Sequence, residues 1–230
     1  DKELSGLVKK SNTLFRKLFQ KGSIRKEEYL YFLFDLKNAC NLGKMYLLPK
    51  IHKRVREVPG RPVISNCGTP TEKVSEFLDW QLKPLMQSAK SYIRDTSDFI
   101  NKLKSLGEVP DNAILVTADV VGLYPSIPHQ DGLEALHRAL EKRENKDVSS
   151  RDLVQMAEFV LKNNFFEFSG DCFHQVSGTA IGTKFAPPYA CIFMDELETD
   201  FLSKQPVKPW FILNPAIRNT PRHLLFIVRH

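Results

Sequence analysis

The chain has 230 residues, with 33 Lys and Arg against 27 Asp and Glu, so its formal net charge is +6. Hydrophobic residues make up 42% and charged residues 26%, which fits a folded globular protein and excludes a disordered tail, a collagen-like chain and a disulfide scaffold. No apolar run approaches the ~20 residues of a membrane span. The first residues, Asp1-Lys2-Glu3, include no Met and no signal-peptide core. We therefore expect a fragment of an intracellular protein, nuclear or cytoplasmic.

The cysteines and histidines give no metal signal. Cys40, Cys67, Cys172 and Cys191 are widely spaced and form no C-x-x-C pair, so neither a zinc site nor a disulfide framework is indicated. We expect buried free thiols in a reducing compartment. None of the histidines shows metal-ligand spacing, and we assign none of them to a metal.

The positive charge is concentrated near the start of the chain. Residues 1–70 hold 15 Lys and Arg against 6 Asp and Glu. The densest stretch, 44–62, also contains Pro49, Pro59 and Gly60, which exclude a continuous helix. A basic, turn-rich segment of this kind suits contact with a polyanion. A solvated surface loop is the alternative, and charge alone favours it.

Apolar spacing and turn residues predict the elements of the first half of the chain. Helices are predicted over 7–20 and 24–37, strands over 44–48 and 63–65, and further helices beginning near Thr69 and Thr96. Thr69, Pro70 and Glu72 fit a helix start with Thr as N-cap, Pro at the first helical position and a capping-box Glu.

The second half predicts a similar mixture. A strand is predicted over 114–120, a helix through Leu133 to Leu140, a helix from Ser149 or Ser150, a hairpin over 165–176 and a helix over 188–201. Helices and strands alternate without a regular βαβ rhythm, which favours an α+β fold.

Two segments are candidates for chemistry, although each is a weak signal alone. Asp119 ends an apolar strand, where a carboxylate either binds a ligand or caps a turn. Gly178 and Gly182 punctuate a segment ending in Thr183-Lys184. That segment lacks the spacing of a phosphate-binding P-loop, and turns that need a positive φ would also explain its glycines.

The order and spacing of these motifs resemble reverse transcriptases. Asp119 and Tyr124 are similar to motif A of that family, and Gln175, Gly178 and Gly182, followed by Ala-Pro, are similar to motif B. The stretches Tyr-Leu-Leu-Pro-Lys-Ile-His-Lys, at 46–53, and Leu-Tyr-Pro-Ser-Ile-Pro-His, at 123–129, most resemble the reverse transcriptases of Penelope-like retroelements, which are relatives of telomerase. The resemblance covers roughly residues 1–200.

The resemblance implies the fingers and partial palm of a right-hand polymerase, with an incomplete palm sheet. N-terminal helices and basic fingers would occupy residues 1–110, and the palm with motifs A and B would occupy 111–201. A divergent tail, 202–230, would replace motif C. The implied partners are an RNA template, a DNA primer and deoxynucleoside triphosphates, with no membrane.

The resemblance also assigns roles in motif A and the fingers. Asp119 would be the catalytic, metal-binding carboxylate, and the carbonyl of Val120 would be a second metal contact. Tyr124 would lie under the sugar of the incoming nucleotide, although packing beside two prolines remains the alternative for this residue. Arg61 and Lys50 would contact the triphosphate.

The remaining roles fall on Lys53 and motif B. Lys53 would assist at the triphosphate, and Gln175 would contact the nucleotide. Gly178, Gly182 and Lys184 would belong to a loop that touches template and nucleotide. Mg²⁺ or Mn²⁺ is expected only in a complete active site, since nucleotide addition uses two metal ions.

The family's third motif, an aromatic-x-Asp-Asp, is missing. The sequence contains no Asp-Asp pair and no acidic residue after Asp200, and we infer that the coding frame departs from the family near Trp210. One carboxylate cannot hold two Mg²⁺ ions against a 3′-hydroxyl, so we expect no primer extension by this chain alone. We also expect exposed apolar sheet faces and marginal stability, unless the apolar run 224–228 replaces the lost strand.

The sequence therefore indicates an RNA-directed DNA polymerase domain of a retroelement, a nucleotidyltransferase that is inactive as given. The alternative is a non-catalytic module that binds RNA or an RNA–DNA hybrid through phosphate contacts. A purely structural protein would explain the basic segment but not the ordered motifs.

Overall fold

The computed structural model describes residues 2–34, 40–51, 58–109, 111–206, 209, 211–213 and 223–229. The helices are α1 (Lys2–Gln20), α2 (Lys26–Phe32), α3 (Glu72–Ser88), α4 (Thr96–Lys104), α5 (Leu123–Ser126), α6 (His129–Glu141), α7 (Ser150–Lys162) and α8 (Ala186–Ser203). The strands are β1 (Gly43–Pro49), β2 (Gly60–Ser65), β3 (Ala113–Asp119), β4 (Phe165–Phe168), β5 (Asp171–His174), β6 (Phe211–Leu213) and β7 (His223–Arg229). The predicted mixed α+β class is confirmed.

The first sheet has four strands in the order β2-β1-β4-β5. β1 and β2 form the antiparallel hairpin predicted around the basic segment, and residues 52–57 lie outside the described residues. β4 and β5 form the second predicted hairpin, closed by Ser169 and Gly170 at φ values of 52° and 91°, as a two-residue hairpin turn requires. Parallel pairing of β1 with β4 joins the two hairpins.

The second sheet has three strands in the order β3-β7-β6. β7 pairs antiparallel with the whole of β3, from Ala113 opposite Arg229 to Asp119 opposite His223. The apolar run of the tail therefore supplies a neighbour for the strand that ends in Asp119. Leu115 remains 65% exposed and Ile114 46%, so the expected exposed apolar faces are present on β3.

The hydrophobic core lies among the helices. α6 packs against α7 and α8, and α3 packs against the same two helices. Phe15, Leu78, Leu136, Met156 and Phe185 are fully buried there. The α7 start follows its prediction, because the side chain of Ser149 accepts a hydrogen bond from the backbone N–H of Asp152.

The start of α3 differs from its prediction. The helix begins at Glu72, and the hydroxyl of Thr69 donates to the carbonyl of Asn66 at 2.8 Å instead of capping a helix. The carboxylate of Glu72 accepts from the N–H of Gly68 at 2.7 Å. The predicted capping box was wrong because a tight turn at 66–69 uses the Thr69 hydroxyl locally.

The cysteines follow their prediction only in part. None of the four forms a disulfide, but Cys67 and Cys172 are exposed and only Cys191 is buried. Cys67 lies in the turn before α3 and Cys172 lies on the edge strand β5, so neither reaches the core. Within the described ranges, no helix is long and apolar enough to cross a membrane.

Candidate nucleic-acid and nucleotide site

The loop 175–185, between β5 and α8, contacts two segments that are far away in sequence. The backbone N–H of Thr179 donates to the carbonyl of Tyr124 at 2.8 Å, and the carbonyl of Ile181 accepts from the N–H of Ile64 on β2 at 2.8 Å. The predicted motif B loop therefore lies against both the predicted motif A turn and the basic hairpin. We call this three-way contact the junction.

Two glycines allow the junction to form. Gly178 has φ +69°, and a Cβ there would lie 2.5 Å from the backbone of Pro125. Gly182 has φ +121°, and a Cβ there would lie 2.3 Å from the carbonyl oxygen of Ile64. Only glycine fits both the backbone conformation and the close approach. The ring Nε2 of His129 lies 2.7 Å from the carbonyl of Gly178 and adds a side-chain hydrogen bond.

The end of the loop is fixed to the residue that follows β2 and to α3. The side-chain amide of Asn66 donates to the hydroxyl of Thr183 at 3.0 Å, in a buried contact. The backbone N–H of Phe185 donates to the hydroxyl of Ser75 at 3.0 Å. These contacts leave the loop little freedom to move away from β2.

Gln175 is held by Asn164. The backbone N–H of Gln175 donates to the carbonyl of Asn164 at 3.0 Å, and the Nδ2 of Asn164 donates to the side-chain oxygen of Gln175 at 2.8 Å. The Nε2 of Gln175 donates to the carbonyl of Ser177 at 2.9 Å. Asn164 is buried, whereas Gln175 is half-buried at the entrance of the loop.

Lys184 is paired within the protein. Its ammonium lies 2.7 Å from the carboxylate of Glu76, which also accepts from the hydroxyl of Tyr31 at 2.9 Å. The hydrogen bonds from Lys184 and Tyr31 hold the pKa of Glu76 below its ordinary value. Burial, then the hydrogen bond to Glu76, raises the pKa of Tyr31 to about 12. The lysine predicted to touch nucleic acid thus has a carboxylate partner.

The predicted motif A residues lie in two different environments. Asp119 ends β3 and is exposed, whereas Val120 and Tyr124 are half-buried and pack against the helical core. Among the described residues, no hydrogen bond or ion pair joins Asp119 to Arg61 or Lys50. The structure therefore brings Tyr124 to the junction and leaves the carboxylate on the exposed sheet.

The basic hairpin of β1 and β2 combines cations with exposed apolar side chains. Arg61 is half-buried on β2, opposite Leu48 in register. Lys50 follows β1, and its backbone N–H donates to the carbonyl of Pro59 at 2.9 Å. Tyr46 is 47% exposed on the same hairpin. Lys53 lies outside the described residues.

The donor set does not fit a two-metal centre. In the described part of the chain, no group of three or more His, Cys, Asp and Glu side chains could hold a metal ion. Asp119 is a single carboxylate that stands opposite His223 in register, and the sequence supplies no acid after Asp200. Two-metal catalysis needs further oxygen ligands from the protein.

Sequence reasoning missed three supporting residues. His129 closes a segment that carried the family resemblance, so its position gave a signal. Glu76 and Asn164 gave no signal. The partner of Glu76, Lys184, is far away in sequence, and the partner of Asn164, Gln175, lies on the other side of a hairpin.

The fold of this chain is shared with solved structures of telomerase. The structure of telomerase from Candida albicans in complex with a TWJ fragment of telomeric RNA matches 85% of this chain at TM-score 0.57 and 12% identity. Apo telomerase from Candida tropicalis matches 86% at TM-score 0.55 and 12% identity. The same protein truncated from its C-terminal domain matches 82% at TM-score 0.54 and 13% identity.

The match spans less than half of each telomerase chain, 39%, 40% and 44% respectively. At these identities the likeness shows the fold alone. No protein-family model matches the sequence, and no curated protein matches it.

Proposed function

We propose that this chain is the fingers and partial palm of a Penelope-like retroelement reverse transcriptase, an RNA-directed DNA polymerase domain that binds its substrates but does not extend a primer alone. The junction carries this proposal, because it joins the motif A turn, the motif B loop and the basic hairpin by backbone hydrogen bonds at 2.8 Å. The fold shared with telomerase structures supports it. The proposed division is fingers to residue 110, palm to 201 and a divergent tail beyond.

In this proposal the residues around the junction recognise template and nucleotide. Arg61 and Lys50 on the hairpin contact phosphates, and Lys53 assists them. Tyr124 supports the nucleotide sugar, and Gln175 presents its amide at the loop entrance. The partners are an RNA template, a DNA primer and deoxynucleoside triphosphates.

Catalysis would need Mg²⁺ or Mn²⁺, which stabilises the attacking and leaving oxygens of phosphoryl transfer. Asp119 with the carbonyl of Val120 does not make a two-metal site. We therefore assign substrate binding to this chain and no chemical step.

A primer-extension assay tests the catalytic half of the proposal. It uses an RNA template, a DNA primer, all four deoxynucleoside triphosphates and Mg²⁺, and we expect no extension. Robust metal-dependent extension that disappears in Asp119→Ala would contradict the assigned inactivity.

A binding assay tests the recognition half. Fluorescence anisotropy with an RNA–DNA hybrid should show binding that weakens steeply with salt. Arg61→Ala should weaken it by about tenfold, the effect of losing one charge-assisted hydrogen bond. Arg151→Ala, which removes an exposed arginine from α7, is the matched control and should bind as wild type. Equal effects of the two variants would show that the hairpin is not part of the binding site.

A module that binds only RNA or RNA–DNA hybrid is the second candidate. The tail favours it, because residues 201–230 contain no acidic side chain that could join Asp119 in holding a metal ion. Deoxynucleoside triphosphates distinguish the two candidates. They should raise the melting temperature of a polymerase domain and lose that effect in Gln175→Ala, whereas a pure binding module should not respond to them.

A further inference from the structure

The outer face of α1 carries two rows of exposed cations. Lys2, Lys9 and Arg16 recur every seven residues, and Lys10 and Lys17 form a second row beside them. Seven residues correspond to about 10.5 Å along a helix axis, so each row presents regularly spaced charges on one side of the helix.

The inner face of the same helix is already occupied. Leu7, Val8, Phe15 and Leu18 are buried, with at most 4% of their surface exposed. A helix that lies on a membrane needs a free apolar face to insert. Because α1 has buried its apolar face in the protein, its cations are placed for a soluble polyanion.

The charge on this face is not neutralised locally. Glu3 is the only acidic residue of α1, and among the described residues no ion pair involves Lys9, Arg16 or Lys17. Just beyond the helix the situation differs, since Lys21 pairs with Asp152 at 2.8 Å. The unpaired cations form a positive field that attracts phosphates.

The cationic face adjoins the candidate site. The ammonium of Lys10 lies 3.5 Å from the side-chain oxygen of Asn163. Asn163 precedes Asn164, which holds Gln175 by two hydrogen bonds. The N-terminal half of α1 therefore lies beside the entrance of the motif B loop.

We propose that the outer face of α1 is a track for the phosphate backbone of the template RNA, continuing from the loop entrance at Gln175. Lys9, Arg16 and Lys17 contact phosphates of the strand outside the junction. The inference rests on the proposed function, because it takes the strand at Gln175 to be template RNA. These contacts are independent of base sequence, so they lengthen the bound stretch of RNA without adding specificity.

The test measures RNA affinity by fluorescence anisotropy as a function of KCl concentration, with a labelled single-stranded RNA. The variant combines Lys9→Ala, Arg16→Ala and Lys17→Ala, which are exposed positions and should not disturb folding. The slope of log affinity against log salt should become shallower by about 2, because each phosphate contact on a single strand contributes ~0.7.

A matched control removes the same charge elsewhere. Lys83→Ala, Lys90→Ala and Lys104→Ala are exposed lysines outside α1, and their combination should keep the wild-type slope. An unchanged slope in the α1 variant, or an equally shallower slope in the control variant, would overturn the proposed track. Loss of binding to phosphatidylserine vesicles in the α1 variant, with RNA binding unchanged, would also overturn it.

Arg61→Ala and Gln175→Ala separate the two proposals. If they weaken RNA binding while the α1 variant does not, the site stands and the track is wrong. If only the α1 variant weakens binding, α1 is an RNA surface and the proposed site is wrong.

Discussion

The helical core and the β3-β7-β6 sheet are stabilised in different ways. In the helices, Phe15 and Leu136 have no exposed surface, whereas on β3 Leu115 is 65% exposed and Ile114 46%. Strand pairing satisfies the backbone of β3 along one edge, but it removes little apolar surface from water. Since apolar burial is the main favourable term in folding, the helices provide most of the stability, and the sheet depends on hydrogen bonds.

The candidate site is divided along the same boundary. Tyr124, Gly178 and Gly182 are tied to the core through the junction, while Asp119 belongs to the exposed sheet. The residues proposed for recognition that meet at the junction therefore lie in the well-packed region, and the carboxylate proposed as a metal ligand lies on the weakly buried sheet.

The largest expected effect is on the free energy of unfolding, and it distinguishes two leucines on the two sides of this boundary. Leu136→Ala, in the core, should lower the free energy of unfolding by about 3 kcal/mol through lost burial and a cavity. Leu115→Ala, on β3, should lower it by less than about 1 kcal/mol, as for an exposed position. Urea titration of both variants measures the difference. Equal losses would show that β3 is buried in solution.

The junction should be sensitive to a single methyl group. Gly182→Ala places a Cβ 2.3 Å from the carbonyl of Ile64 at φ +121° and should cost about 2–3 kcal/mol. Gly107→Ala is the control, since its φ is +69° with no atom within 4 Å, and it should cost about 1 kcal/mol from backbone strain alone. Equal costs in denaturant titrations would place loop 175–185 away from β2.

The contact between the N-terminal helices and α7 should depend on pH. Burial alone would raise the pKa of Asp152, but hydrogen bonds from Lys21, Ser149 and Ser23 outweigh it and hold the pKa below its ordinary value. Such a carboxylate stabilises the fold above its unfolded pKa of about 3.9, and that contribution is lost as pH falls through the lower folded-state pKa.

Unfolding free energies measured between about pH 6 and pH 3 should therefore fall more steeply in wild type than in Asp152→Asn. Glu108→Gln changes an exposed carboxylate that has no ion-pair partner among the described residues, and it should keep the wild-type steepness. A wild-type slope in Asp152→Asn would contradict the assignment.

The smallest expected effect is a gain in stability. Tyr189 is 1% exposed, and its hydroxyl has no hydrogen-bond partner among the described residues. Tyr189→Phe removes an unsatisfied buried group and should raise the free energy of unfolding by up to about 1 kcal/mol. Tyr46→Phe, at a 47% exposed position, should change nothing. A loss of stability in Tyr189→Phe would reveal a partner for the hydroxyl.

Local signals predicted most of the fold. The apolar spacing in α1, α6, α7 and α8 produced correct helices because one face of each is buried in the same core. The predicted capping-box role of Glu72 was wrong, because its carboxylate accepts a hydrogen bond from a different backbone N–H than the one expected. The parallel pairing of β1 with β4 was not predictable, since no local pattern encodes which distant strand will be a neighbour.

Motif spacing predicted part of the candidate site, and tertiary packing determines the rest. The spacing of Tyr124, Gly178 and Gly182 marked them as a group, and the structure brings them together at the junction. Their chemical roles stay predictions. The ion pair of Lys184 with Glu76 depends on packing between α3 and the loop, so sequence alone could not show that this lysine is neutralised.

β3 is an edge strand of its sheet, and among the described residues no strand pairs with its outer edge. Apolar side chains stand on both faces of that strand, with Leu115 on one and Ile114 and Val116 on the other. An unprotected apolar edge is a template on which strands of other molecules can add. The protein should therefore self-associate as its concentration rises, and a cell that accumulates it would depend on chaperones to keep it in solution.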